Sequence, residues 1–541
     1  MAAFNPDIQP RLAIIGGGQA AKAVLFAVAE RAAAGRLDWR GVEIVVYERD
    51  GEFATGLAWS RRFALEEHVP SLPSPQARVV YGDGQRRQFA ECVALLRDLG
   101  VQVRLAPFTD VVGLERAGAG WRLQPAEGPP QRADAVVLAT GHWHRCDPVL
   151  PGALRPWPAR ALQDAVLAGT GRVLVIGAGL TSVDAAVTLA VGAGRFDAGA
   201  DGRFIFRPRR PLAVTLASRS GCMPSVWGAP PPPLPDLEAA VSARLEALSA
   251  EHGRLPLESA LDVVAATACD AAVVTCGPVA ALGIPIAHRI ALIRAAEEHR
   301  AADPLARLEA DLAAVAPLDG PIASARLRGS PAQALLLALL PIVSERFHGL
   351  DADDHALFQA RLRGPLFRRA MPMGLDSALR VSALAGAGRL RVRRLDPADP
   401  PRQAADGTWS VPAFAGAPAQ VFDHVVDGTG QTADLATRAE QLWTRLLRDR
   451  LVRPALRRRR DGTTAPTGGV DVDVETRRVR AAGAAPPLYA MGALTLGLFV
   501  DAQGIGHLMR DAARIIADLD AQGFSAGAAV ASKAFVERSM P

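Results

Sequence analysis

Lysine is nearly missing from this sequence. Only Lys22 and Lys533 occur, so the formal net charge of +5 rests almost wholly on arginine. Cysteine is scarce as well. Cys92, Cys146, Cys222, Cys269 and Cys276 are odd in number and scattered. No two of them form a C-x-x-C pair and no cluster has zinc-ligand spacing, which excludes a disulfide framework and a structural metal site and argues for reduced thiols in a cytoplasmic protein. Aromatic residues make up 5%. Alanine is abundant, as suits helices packed closely on sheets. Long apolar runs are also lacking. The most apolar stretch, 334–343, is too short to cross a bilayer and contains Pro341, so it reads as a buried helix. Residues 1–11 hold no apolar core of the signal-peptide kind. The run Arg457-Arg458-Arg459-Arg460 has no interleaved aromatics and no nucleic-acid fold signature beside it. It reads as a solvated loop or helix end rather than a nucleic-acid surface.

What is present is an ordered pattern stated twice. At 541 residues the chain is long enough for two or three domains. It opens with an apolar strand at 11–15, the turn Gly16-Gly17-Gly18, and a helix running through Ala29. Gly16 permits the tight turn, Gly18 lets a pyrophosphate approach the backbone, and Ala21 lets the helix pack on the strand. The helix start offers free N–H groups and a positive dipole end to phosphates. A strand at 42–47 ends at Glu48, whose carboxylate can accept hydrogen bonds from ribose hydroxyls. The spacing from Gly16 to Glu48 exceeds the usual ~20 residues, so the first helix or its exit is long. A turn-like segment at 55–60, a proline-rich loop at 69–75 and a helix at 86–99 follow. Short strands at 101–105, 111–115 and 121–124 then lead to a buried strand that exits at Thr140-Gly141.

The same grammar restarts at 172. A strand at 172–176 leads into Gly177-x-Gly179-x-x-Ser182 and a helix at 183–190. The next strand, 212–217, ends in Ser218-Arg219-Ser220 instead of an acid. A carboxylate there would repel a 2′-phosphate, whereas a hydroxyl and a guanidinium would bind one, so NADPH is expected ahead of NADH. A proline-rich linker at 222–235 precedes a mostly helical stretch at about 237–364, where substrate selectivity could reside. Strands near 390–394 and 409–412 lead to a second Thr-Gly exit at Thr429-Gly430. The chain then returns to its first unit through a strand at 488–492 and a helix opened by Gly504-Ile505-Gly506-His507. Its first N–H groups suit the pyrimidine edge of a flavin, and His507 is a candidate cofactor contact.

The expected fold class is α/β: two Rossmann-like dinucleotide-binding domains with β-meanders, plus a mostly helical insertion. The divisions are 1–165 for the first part of an FAD-binding domain, 166–430 for an NAD(P)-binding domain with the insertion at about 235–365, and 431–541 for the return. The candidate cofactor residues are Gly16, Gly18, Ala21, Glu48, Thr140, Gly141, Gly177, Gly179, Ser182, Arg219, Gly504, Gly506 and His507. No metal ligands and no catalytic side chain are assigned.

Gly16-x-Gly18-x-x-Ala21, Gly56-Leu57-Ala58-Trp59-Ser60, Ala139-Thr140-Gly141, Gly177-x-Gly179-Leu180-Thr181-Ser182-x-Asp184 and Gly504-Ile505-Gly506-His507 together resemble the bacterial FAD/NAD(P)-binding flavoproteins related to class B flavin monooxygenases. Two segments depart from that pattern: Gly492-Ala493 stands where Gly-Asp is common, and Glu67-His68-Val69-Pro70 where a Leu-Asn-Val-Pro type is common. The resemblance implies FAD at the first site and NAD(P)H at the second. It implies a monooxygenase in which NADPH reduces FAD, dioxygen forms a flavin C4a-hydroperoxide, and a small polar substrate takes the distal oxygen. Urate-type purine hydroxylation is the first expectation and N-hydroxylation of an amine or amino acid the alternative. A disulfide reductase would need a redox cysteine pair beside the flavin, which Cys269 and Cys276 do not supply. A non-enzymatic flavin or nucleotide sensor is the reading from another class. The partners implied are a small molecule and dioxygen, with no nucleic acid or membrane. Oligomeric state is not legible.

Overall fold

The computed structural model describes residues 9–69, 77–141, 150–226 apart from 170 and 201, 235–264, 306, 308, 340–430, 432–480 and 485–524. The first unit begins with β1 (Arg11–Ile15), α1 (Gln19–Ala33), β2 (Glu43–Glu48), the single turn α2 (Gly56–Trp59) and α3 (Arg78–Asp98). It continues through β3 (Gln102–Pro107), β4 (Val111–Ala117), β5 (Gly120–Pro125), β6 (Gln131–Ala133) and β7 (Ala135–Leu138). The second unit begins with α4 (Ala159–Leu167), β8 (Arg172–Ile176) and α5 (Leu180–Ala193). A hairpin of β9 (Gly194–Ala198) and β10 (Phe204–Pro208), not foreseen from sequence, precedes β11 (Ala213–Ser218).

The described helices of the insertion include α6 (Pro235–His252) and α7 (Ala352–Leu357), with further helical residues at 257–264 and 340–346. A π-turn at Phe358–Leu362 joins α7 to α8 (Arg363–Ala370), and α9 (Leu375–Gly386) follows. Then come β12 (Leu390–Arg394), the small strands β13 (Arg402–Gln403), β14 (Trp409–Val411) and β15 (Gln420–Phe422), and β16 (His424–Asp427). The return comprises α10 (Gln441–Arg448), β17 (Pro454–Arg458), β18 (Thr464–Val470), β19 (Leu488–Ala490) and α11 (Ile505–Ala521).

Two parallel sheets carry the same order. The first runs β19-β7-β1-β2-β3 and the second β12-β11-β8-β16. In each, the strand before a glycine turn lies between the strand that follows its helix and the strand that closes the unit. Each unit also owns a three-stranded antiparallel meander, β4-β5-β6 and β13-β14-β15. β19 pairs with β7, so the chain's late strand joins the first sheet. Period-two alternation sets the layers: Leu12 and Ile14 of β1 face the helices α1, α3 and α11, while Ala13 and Ile15 face the meander side. Glycine turns at the carboxyl ends of β1 and β8 therefore open at the switch points of their sheets, where ligands bind in such folds.

Several expectations need correction. The segment at 55–60 contains the helical turn α2, and α3 starts eight residues earlier than its apolar spacing suggested. The arginine run is not a solvated loop or helix end. Its first two residues belong to β17, and Arg457 is buried. Its guanidinium donates to the carbonyls of Phe347 at 2.8 Å and Gly497 at 2.7 Å. Arg460 pairs with Asp351 at 3.2 Å and also with Asp354, and Arg459 with Asp353 at 3.2 Å. The run ties the helical insertion to the β17–β18 hairpin. The loop at 70–75, most of the proline linker, 265–305, 334–339, Cys146, Cys269 and Cys276 lie outside the described residues. Of the five cysteines, Cys92 and Cys222 lie within them.

Candidate functional site: two dinucleotide cradles

The first cradle is built from backbone that only glycine can supply. Gly16 has φ +104°, and a Cβ there would stand 2.4 Å from the carbonyl oxygen of Ala139. The turn and the exit of β7 thus touch backbone to backbone. At Gly18 the opposite holds: an added Cβ would find its nearest neighbour, Gly56, at 3.8 Å. That space is free of protein and lies at the start of α1, which has no side-chain cap. The first-turn N–H groups of α1 therefore need an outside acceptor. The residues fit a pyrophosphate. Ala21 is fully buried beneath the helix, in the packing position its small side chain allows. Glu48, at the end of β2, accepts the N–H groups of Gly17 and Asp50, each at 2.8 Å. Burial raises its pKa, and those two N–H donors oppose the rise. Thr140, beyond β7, accepts from Trp443 Nε1 at 3.3 Å and Arg438 Nη1 at 3.4 Å, and Gly141 follows with φ +65°.

The second cradle repeats the first. Gly177 has φ +109°, and a Cβ there would meet the Gly428 carbonyl oxygen at 2.6 Å. Around a Cβ on Gly179 there is nothing within 4 Å. Ser182 is fully buried, and its hydroxyl donates to Gly428 O at 3.0 Å. It braces the turn from inside, so the structure does not aim it at a phosphate as the sequence motif suggests. At the end of β11, the Ser218 hydroxyl accepts the Gly221 N–H at 3.0 Å, and Ser220 accepts from Arg368 Nη1 at 3.4 Å. Arg394 Nε donates to the Arg219 carbonyl at 3.4 Å. Arg368 and Arg394 thus both reach the end of β11, one at the Ser220 hydroxyl and the other at the Arg219 carbonyl. Sequence reading found only Arg219, because Arg368 and Arg394 come from α8 and β12, far along the chain.

The return segment approaches the first cradle through α11. Gly504 caps that helix, and a Cβ on it would stand 2.3 Å from Asp501 Oδ2. Burial pushes the Asp501 carboxyl up to about 6, and its Oδ1 has no hydrogen-bond partner. Gly506 sits in the first turn of α11. His507 does not present its ring to a cofactor. The side chain is fully buried, with Nδ1 and Nε2 each 3.3 Å from a carboxylate oxygen, of Glu345 and Asp511 respectively. Neither contact is aligned as a hydrogen bond, and burial lowers the ring's pKa. Arg477, also fully buried, donates Nε to Asp511 at 2.5 Å, lies 3.3 Å from Glu345 and stacks on Phe499 at 4.1 Å. Asp511 in turn accepts the Gly492 N–H at 3.3 Å. This network holds the Gly492 turn, where Ala493 departs from the related pattern. The i, i+4 spacing of His507 and Asp511 was a legible sign of it, but Glu345 and Arg477 gave none.

Burial alone would raise the Glu345 carboxyl. The Arg514 hydrogen bond, with the charges of His507 and Arg477, outweighs burial and holds it at about 2 against an ordinary 4.5. A depressed carboxylate stabilises the fold above its unfolded value, and that contribution disappears as pH falls from about 4.5 toward 2. Acid unfolding of the wild type should therefore be steeper than that of Glu345→Gln over this window. Parallel melting temperatures for the two proteins down to about pH 3 would contradict the assignment.

Residues 10–216 match the family model described as pyridine nucleotide-disulphide oxidoreductase. No curated protein matches the chain by sequence. Among solved structures the chain is similar to an ornithine hydroxylase from Pseudomonas aeruginosa, at 12% identity over 95% of this chain and 100% of that one, with a TM-score of 0.44. It is similar to an L-lysine 6-monooxygenase from Pseudomonas syringae, at 16% identity over 94% and 99%, with a TM-score of 0.43. A bacillithiol disulfide reductase from Staphylococcus aureus aligns at 10% identity over 95% and 98%, with a TM-score of 0.40. A hydroxylase, a monooxygenase and a disulfide reductase all fall within this likeness, so it decides among none of them. Among the described residues no helix is long and apolar enough to cross a membrane. With two glycine cradles at the carboxyl ends of two parallel sheets and the family match across the first of them into the second, the chain is an FAD- and NAD(P)H-binding oxidoreductase.

Proposed function

We propose that this chain is an FAD- and NADPH-dependent monooxygenase that N-hydroxylates a small amine or amino acid. The observation that carries the two-cofactor reading is the duplicated cradle, with Gly18 and Gly179 each at an uncapped helix start where an added Cβ would meet no protein atom closer than 3.8 Å. FAD, when bound, supplies hydride acceptance and oxygen activation. The chain's own residues bind and orient. Gly18 and α1 would hold the flavin pyrophosphate and Glu48 its ribose, and the first N–H groups of α11, at Gly506 and its neighbours, would suit its pyrimidine edge. Gly179 and α5 hold the NADPH pyrophosphate, and Ser218, Arg219 and Ser220 its 2′-phosphate.

Urate-type hydroxylation, the first expectation from sequence, has no specific support in the comparisons. The amine reading is the alternative offered by the sequence resemblance, and two of the similar structures are an ornithine hydroxylase and a lysine monooxygenase.

Anaerobic mixing of FAD-loaded protein with NADPH should bleach the flavin band near ~450 nm, faster than NADH does. In air, an amino acid with a side-chain amine should stimulate NADPH oxidation with a hydroxylated product, and urate should not. Stimulation by urate alone would restore the purine reading. Absence of bleaching with either nucleotide would remove the two-cofactor reading and leave a flavin or nucleotide sensor. Arg219→Ala should raise the KM for NADPH by roughly 10–100-fold, the worth of one lost charge-assisted contact, and change that for NADH by less than about 3-fold. Equal effects on both nucleotides would take the 2′-phosphate away from Arg219.

A further inference from the structure

The two nucleotide units meet along α5, the helix that starts at the second cradle. Asp184, on its second turn, is buried and pairs with Arg78 at 2.8 Å. Arg78 opens α3, a helix whose Phe89, Val93 and Leu96 lie in the same core as α1. The same guanidinium donates Nε to the Val69 carbonyl at 3.2 Å. One turn along α5, the fully buried Thr188 hydroxyl lies 2.9 Å from His68 Nε2. The Leu65 N–H donates to His68 Nδ1 at 3.2 Å, so in the neutral ring Nε2 carries the proton and donates to Thr188. Trp157 packs edge-on to the His68 ring at 5.2 Å. From α9, Arg380 donates to the Glu67 carbonyl at 3.2 Å. Three side chains of the second unit thus converge on residues 67–69 and the first turn of α3. One of the three is the Asp of the Gly-Leu-Thr-Ser-x-Asp run, and one of its targets is the His of the segment that departs from the related pattern, features that the cofactor cradles do not use.

A buried ion pair adds little net stability compared with apolar packing, but it is directional. Asp184 lies five residues after Gly179, about 7.5 Å along the helix axis at 1.5 Å per residue. A clasp so near the phosphate cradle fixes the second nucleotide relative to the first. We propose that Arg78 and His68 are positioning residues that lock α5 to the FAD-binding unit through Asp184 and Thr188, and so set how closely the nicotinamide meets the flavin. This inference rests on the two-cofactor reading for its kinetic consequence but not for the clasp itself.

The test uses the full-length, FAD-loaded protein. In the double variant Arg78→Met with Asp184→Leu the pair is replaced by apolar side chains. In Thr188→Val the hydroxyl that meets His68 is removed at nearly constant volume, leaving the ring only the backbone of Asp184 as a partner on α5. FAD content and NADPH Kd should stay within about 3-fold of wild type, while the limiting rate of anaerobic flavin reduction falls by ~10–100-fold in the double variant, as a misplacement near 1 Å implies. Amide hydrogen exchange of residues 65–69 and of α5 should be faster in the double variant than in wild type. Unchanged exchange in both segments, or a limiting rate equal to wild type, overturns the proposal. If the double variant loses FAD or fails to fold, Thr188→Val decides alone: a limiting rate and exchange equal to wild type overturn the clasp, and a slower rate with normal NADPH Kd supports it. If NADPH does not reduce even the wild type, the cofactor reading fails, and the exchange comparison still decides the clasp.

Discussion

Gly177→Ala should prevent the second unit from folding, whereas Gly179→Ala, two residues on, should leave the fold intact and abolish efficient use of NADPH. The difference lies in what surrounds each Cβ. At Gly177 the φ of +109° is strained for any side chain, and the new methyl would stand 2.6 Å from the Gly428 carbonyl oxygen. Backbone strain alone costs about 1–3 kcal/mol, and the contact with backbone cannot relax without displacing the exit of β16. Insoluble protein or a large loss of melting temperature is the expected outcome. At Gly179 nothing lies within 4 Å, so the methyl meets no protein atom. It replaces a helix N-cap glycine at a cost of up to about 1 kcal/mol. It also occupies the side from which a pyrophosphate must approach, so the Kd for NADPH should rise by roughly 10–100-fold, or about 1.4–2.7 kcal/mol. Flavin content should not change. Titration with NADPH and a thermal melt of both variants check this, and unaltered NADPH affinity in Gly179→Ala would move the nucleotide away from this turn.

Arg477→Ala should be the most damaging change outside the cradles. Arg477 and Asp511 have fully buried side chains 2.5 Å apart, and Glu345 lies 3.3 Å from the same guanidinium. Removing the arginine leaves Asp511 as an uncompensated buried charge, which costs roughly 3–5 kcal/mol. The cation stacked on Phe499 is lost with it. In a chain of this size that energy corresponds to a fall in melting temperature of about 3–4 °C. Because Asp511 also holds the Gly492 N–H, bound FAD per chain should drop as well. A melting temperature within about 1 °C of wild type and full flavin content would show that the network is not what holds this turn.

Much of the architecture was legible because it is local. A glycine turn, the strand before it and the helix after it lie within about 30 residues, and their chemistry follows from φ, ψ and the absence of a side chain. Gly16, Gly18, Gly177 and Gly179 could be read in this way, and so could the repetition of strand, helix, meander and Thr-Gly exit. Edges were harder. The β9–β10 hairpin has mixed residues and little alternation in burial, so no period marks it. Ser182 and His507 were read as facing a ligand because their motifs lie beside helix starts. Whether such a side chain turns inward depends on which distant acceptor or carboxylate waits beneath it.

Residues adjacent along the chain specify the two glycine turns, the strand and helix on either side of each, and the Ser218-Arg219-Ser220 end of β11, so these were legible without the fold. Tertiary structure decided which distant charges meet. It brought Glu345 to His507 and Arg477, Asp351 and Asp354 to Arg460, and Arg78 to Asp184. Such pairs join separate helices and strands, and no spacing rule anticipates them. A buried charge requires a partner, but only the packing of whole units determines which residue that partner is.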